Sequence, residues 1–127
     1  TDLEESIKEA NIIVLAIPIK YLKDTVIEIS KYYTKDKHIC IATKGIFNDK
    51  PIYPYDMAKK ILKTNNISTI SGGTFASDMV NNNPMGLIVA SKNINTAKII
   101  KHSLENELLK VDKFFNIFHK LLCNSPF

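Results

Sequence analysis

Three short stretches of the sequence bring together residue types suited to holding a small polar ligand: Ile17-Pro18, Thr43-Lys44-Gly45 and the run Ser71-Gly72-Gly73-Thr74-Phe75-Ala76. Lys44 follows an apolar run and precedes a glycine. An ammonium in that place could overhang a crevice, attracting a phosphate or polarising a carbonyl. The plainer reading is a strand-terminal lysine directed into water. Gly72 and Gly73 lack side chains, so a ligand could approach their backbone N–H groups. Thr74 would add a hydroxyl and open a helix whose N-terminus favours an anion. Here too a plainer reading exists, in which the glycines simply make a turn. His38, His102 and His119 have no carboxylate or cysteine at metal-ligand spacing, so no metal site is expected. No Ser-His-Asp grouping or nucleophile elbow is visible, and no residue of the chain is assigned a catalytic role.

These residues need a scaffold, and the hydropathy pattern supplies one. A helix is expected from Thr1, which has capping-box spacing to Glu4, with Leu3, Ile7 and Ala10 on its apolar side. The run from Ile12 to Ile17 shows no polar alternation and reads as a strand buried on both faces, ended by Pro18. Leu22, Val26 and Ile29 recur at helical spacing. A second strand is expected over His38–Thr43, a helix over Tyr55–Lys63 and a third strand over Ile67–Ile70. A short helix from Thr74, a turn over Asn81–Pro84 and a fourth strand over Gly86–Ser91 follow. Ala97, Ile100 and Leu104 mark another helix, and Leu108–Val111 a short last strand. Phe114, Ile117, Phe118 and Leu121 form a closing apolar stripe. Strand and helix alternate with short connections, which predicts an α/β domain with a mostly parallel sheet flanked by helices. In such a sheet the ligand lies beyond the carboxyl ends of the strands. The three stretches fall there together.

Composition narrows the possible partners. The 127 residues carry 17 basic side chains against 13 acidic ones, a net charge of +4. Every one of the basic residues is lysine. Arginine is the usual reader of bases and the bidentate binder of phosphate, and the lysines are scattered, so no nucleic-acid partner is expected. The apolar run at Ile12–Ile19 is too short to span a bilayer, and the acidic, amphipathic opening is unlike a signal peptide. Two cysteines, Cys40 and Cys123, make no disulfide framework, so a cytoplasmic setting is expected.

The stretches "TDLEESIKEANIIVLAIP", "IATKGI", "SGGTFASDMV" and "NPMGLIVAS" also resemble a known family. They occur in the order and spacing found in the bacterial NAD(P)-dependent glycerol-3-phosphate dehydrogenases, over about Thr1 to Val111. The first stretch is shared with many Rossmann dehydrogenases. The specific part is KG followed by SG-x-TFA, which argues against a 6-phosphogluconate-type or ketopantoate-reductase-type enzyme. The resemblance implies a partial Rossmann-like domain, with 1–111 the C-terminal part of a dinucleotide-binding domain and 112–127 a divergent helical tail. It implies hydride transfer between NAD or NADP and sn-glycerol 3-phosphate, giving dihydroxyacetone phosphate, in the supply of glycerophospholipid precursors. The intact family can form homodimers.

Carried over by position, Lys44 would contact both cofactor and substrate, Gly72 and Thr74 the substrate, and Ala76 and Pro18 the cofactor. Gly73 stands where the family has proline, which implies a less rigid loop. The family's Gly-rich loop, its catalytic lysine and its Arg-Asn pair are not among these residues. The expectation is therefore an oxidoreductase segment inactive by itself. The competing reading is a non-catalytic truncated Rossmann remnant or binding module.

Overall fold

The structure, a computed structural model, describes residues 2–43, 52–72, 81, 85–105 and 109–115. The chain opens on helix α1 (Leu3–Glu9), capped by Asp2, whose carboxylate accepts from the Glu4 N–H at 3.0 Å. The cap thus falls one residue after the expected Thr1. Strand β1 (Ile12–Leu15) and helix α2 (Ile19–Ser30) follow, and α2 buries Leu22, Val26 and Ile29 as their spacing predicts. Strand β2 (His38–Ile41) leads to helix α3 (Pro54–Leu62). Pro54 begins α3, where its missing N–H costs nothing. Lys63 ends it in a left-handed conformation, φ 53°. Strand β3 (Ile67–Gly72), strand β4 (Met85–Ser91), helix α4 (Ile94–Leu104) and strand β5 (Leu109–Phe115) complete the described chain. Asn93 caps α4 by accepting from the N–H of Asn95 and Thr96.

The strands form one sheet in the order β1-β2-β3-β4-β5. The pairs β1–β2, β2–β3 and β4–β5 are parallel, and β3–β4 is antiparallel. The sheet is therefore mixed, and mostly parallel by its pairings. Reversal at β4 places Leu87 opposite Gly72.

Helices cover both faces. Ile7 of α1, Leu22, Val26 and Ile29 of α2, and Tyr55, Met57, Ala58 and Leu62 of α3 pack on Leu15, Ile39, Ile41 and Ile67. On the other face, Ala97 and Ile100 of α4 pack on Cys40 and Val89. Burial pushes the Cys40 thiol up to about 11, the Ser68 hydroxyl acting against it, so the group stays a protonated, inert filler of this core.

Expectations change at both ends of the sheet. The first strand is not buried on both faces: Val14, on the α4 side, is 53% exposed. The reason is its place. β1 ends the row of strands, and among the described residues no strand pairs with its outer edge. At the other end, β5 runs on to Phe115 in register with β4, so 112–115 are strand rather than the start of a helical tail. The rest of that segment lies outside the described residues. So do the expected helix from Thr74 and residues 82–84 of the expected turn. No helix among the described residues is long and apolar enough to cross a membrane.

Lys37 ties α1 to the sheet. It is only 4% exposed, and its ammonium donates to the carbonyls of Lys8 (2.9 Å) and Ala10 (2.8 Å). A cation at a helix C-terminus meets the negative end of the helix dipole and the carbonyls left without intrahelical partners. Replacing Lys37 by Met keeps most of the stem but orphans these acceptors. Lys37→Met should cost about 2 kcal/mol of unfolding free energy in urea titration. A loss below about 0.5 kcal/mol, the range of ordinary surface changes, would show that the ammonium is dispensable.

Gly72 answers to a different constraint. A Cβ built there would lie 2.4 Å from the Gly86 carbonyl oxygen and 3.0 Å from Leu87 Cα. Both are backbone atoms of β4, so one strand would have to move. At Gly86 an added Cβ meets nothing within 4 Å. Gly72→Ala should therefore destabilise the fold by about 2 kcal/mol, the usual scale of overpacking. Gly86→Ala should change stability by less than about 0.5 kcal/mol. Equal effects of the two substitutions in parallel urea titrations would contradict the close β3–β4 approach.

Candidate functional site

The parallel register decides where the candidate residues go. Leu15 pairs with Ile41, and Ile41 with Thr69, so these three form one rung across β1, β2 and β3. Pro18, Lys44 and Gly72 are each the third residue after that rung in sequence. The structure places Pro18 and Gly72 at the carboxyl ends of their strands, on the same edge of the sheet. Lys44, Thr74 and Ala76 lie outside the described residues, as do Gly45 and Gly73.

Among the described residues, the Thr43 side chain holds the β1 side of this edge. The Thr43 hydroxyl donates to the Ile17 carbonyl at 2.8 Å and accepts from the Ile17 N–H at 3.3 Å. It also lies 3.3 Å from the Leu15 carbonyl, which takes the Ala42 N–H of the ladder at 2.8 Å. Pro18 then caps α2 without a side-chain hydrogen bond, and the first turn of α2 has no acidic residue. Nothing described at this helix start repels an anion. Ile17 and Pro18 present an apolar surface beside it. Lys20, in the same turn, stands 4.9 Å from the Tyr21 ring centre.

On the β3 side, the missing side chain of Gly72 admits the Gly86 carbonyl of β4. Gly72 thus sits within a strand, and at this position the bare backbone serves sheet pairing. Three buried hydroxyls precede it on β3, at Ser68, Thr69 and Ser71. The Thr69 hydroxyl has no hydrogen-bond partner among the described residues.

Of the described histidines, His38 lies away from this edge. His38 opens β2 at the opposite end of the strand, its Nδ1 2.9 Å from the Thr96 hydroxyl, and burial pulls its pKa below the ordinary value. His102 is exposed on α4, and His119 lies outside the described residues. Among the described residues no group of three His, Cys, Asp or Glu could hold a metal ion. Surface hollows line α1, the end of α3 and the outer side of α4. The grip of Thr43 was missed from the sequence. The only trace of it is a β-branched hydroxyl ending an otherwise apolar strand, just before the singled-out lysine.

The fold has known counterparts. The family model described as the N-terminus of NAD-dependent glycerol-3-phosphate dehydrogenase matches residues 1–97. A glycerol-3-phosphate dehydrogenase [NAD(P)+] of Francisella tularensis subsp. novicida is 31% identical over 106 residues, which is 84% of this chain and 32% of that protein. The chain thus spans about a third of the curated relatives it matches. Among solved structures, glycerol-3-phosphate dehydrogenase from Coxiella burnetii superposes with a TM-score of 0.80 at 19% identity, over 89% of this chain and 34% of that one. The DsGPDH of Dunaliella salina gives 0.81 at 15% identity, over 91% of this chain and 20% of that one. These structures share the Rossmann-like fold. With three quarters of its length matched by the family's N-terminal model, this chain belongs to the NAD-dependent glycerol-3-phosphate dehydrogenase family.

Proposed function

We propose that the chain is the later part of the dinucleotide-binding domain of an enzyme that interconverts sn-glycerol 3-phosphate and dihydroxyacetone phosphate with NAD or NADP. The observation that carries this reading is the family match over 1–97, which includes all three stretches singled out in the sequence. The described part of that edge fits such a cofactor. It offers apolar Ile17 and Pro18 and a helix start free of acidic side chains.

In this reading Pro18 and Ala76 border the cofactor. Gly72 and Thr74 offer a backbone N–H and a hydroxyl to the substrate. Lys44 reaches both ligands, its positive charge drawing the phosphate and steadying negative charge on the carbonyl oxygen. The bound nicotinamide supplies or accepts the hydride. No residue of this chain is assigned the proton transfer, and the Gly-rich loop that cradles a pyrophosphate is not in the sequence. The 127 residues by themselves therefore turn over little or no substrate. The working protein would be cytoplasmic and would act on a small phosphorylated polyol, as a homodimer when complete.

The test is an amide-shift titration of the chain with dihydroxyacetone phosphate and NADH, beside a steady-state assay of NADH oxidation. Perturbations should centre on Ile17, Thr43 and Gly72, and Lys44→Ala should weaken the dihydroxyacetone phosphate response by about tenfold, the scale of one charge-assisted contact. Turnover should stay at background. A response confined to other parts of the chain, or one indifferent to Lys44→Ala, would refute the site. Turnover at an ordinary enzymatic rate would refute the claim of inactivity.

A further inference from the structure

We propose that Thr43 is a positioning residue: its hydroxyl holds the Ile17-Pro18 turn in one geometry at the carboxyl edge. The assignment to a cofactor-binding edge rests on the function proposed above, whereas the grip itself rests on geometry alone.

Ile17 lies beyond the end of β1, where the ladder no longer supplies partners for its backbone. One hydroxyl meets both needs, donating to its carbonyl and accepting from its N–H, at 2.8 and 3.3 Å. A hydroxyl has one proton and two lone pairs, so it can do both at once. The site is part-buried, so water is a poor substitute and an unpaired group there is costly. Ile17 also packs against the core beneath α2, which fixes the turn from the side-chain direction. The next residue, Pro18, is the N-cap of α2 and has φ −57°, so the direction in which α2 leaves the sheet follows from where Ile17 is held.

The same contacts act back on β2. Thr43 is anchored to β1 through its side chain, while Ala42 is anchored through its backbone N–H to the Leu15 carbonyl. The last described residue before Lys44 is therefore fixed relative to Pro18. Threonine suits the place better than its isosteres. Valine has its shape without the hydrogen bonds. Serine keeps the bonds but lacks the methyl group that limits rotation about χ1.

The experiment compares the wild-type chain with Thr43→Val and Thr43→Ser. Amide hydrogen exchange is followed at Ile17, with Ile41 in the neighbouring strand as the reference for global stability. NADH affinity is measured by amide-shift titration on the same samples. Thr43→Val should speed exchange at Ile17 by at least tenfold relative to Ile41 and weaken NADH binding about tenfold, while Thr43→Ser should keep both within about threefold of wild type. If Thr43→Val fails to fold, the serine variant must still protect Ile17, and a serine protein with Ile17 unprotected overturns the proposal. Unchanged exchange at Ile17 in a folded Thr43→Val protein also overturns it. Loss of Ile17 protection with equal NADH affinity in all three proteins shows that the grip does not serve the cofactor. If the wild type binds no NADH while Thr43→Val still frees Ile17, the dehydrogenase reading fails and the turn-holding role stands.

Discussion

The hydrogen-bonded register of β1, β2 and β3 is the constraint on which the rest of the structure depends. Leu15, Ile41 and Thr69 share one rung, and the strands run the same way. Whatever follows each strand by the same number of residues must then emerge on the same edge. Register is well determined here because one face of these strands is packed by α1, α2 and α3. A slip of one residue would turn Ile39, Ile41 and Ile67 out of that core. The alignment of Pro18, Lys44 and Gly72 in sequence is thus a consequence of apolar packing. The strand exits at this edge thus depend on a core of apolar side chains.

Two local devices refine this arrangement. Thr43 fixes the exit of β1 to the exit of β2 through one hydroxyl. Gly72 lets β4 come close enough to pair in the opposite direction, its absent Cβ occupied by the Gly86 carbonyl. Together they set both flanks of the edge, with the end of β2 and Lys44's place in the sequence between them. The outer side of β1 is a contrast. Val14 is exposed, and no described strand covers that edge. An uncharged strand of this kind is a natural place for further β pairing.

Much of this was legible in the residues. Leu22, Val26 and Ile29 gave away α2 through their period, and the unbroken apolar runs at Ile12 and Ile39 marked strands. The features that escaped depend on atoms far away in sequence. Lys37 reads as one more surface lysine until α1 brings two carbonyls to its ammonium. Gly72 reads as a turn or ligand residue until β4 supplies the carbonyl that needs its space. Val14 reads as buried because its neighbours are apolar, yet its exposure follows from β1 lying at the end of the row. Strand direction is equally non-local: nothing in "GLIVAS" says that it runs against β3. The proposed edge chemistry rests chiefly on family likeness, because a lysine before a glycine and a glycine pair before a threonine are individually common.

The account comes down to whether Lys44 and Gly72 share one hollow. The most direct measurement is an experimental structure of the chain with dihydroxyacetone phosphate bound, locating the Lys44 ammonium relative to the Gly72 amide. The account predicts both on the carboxyl edge, facing the same ligand, with Thr43 still bonded to Ile17 beside them. A Lys44 ammonium on the opposite side of the sheet from the Gly72 amide would contradict it.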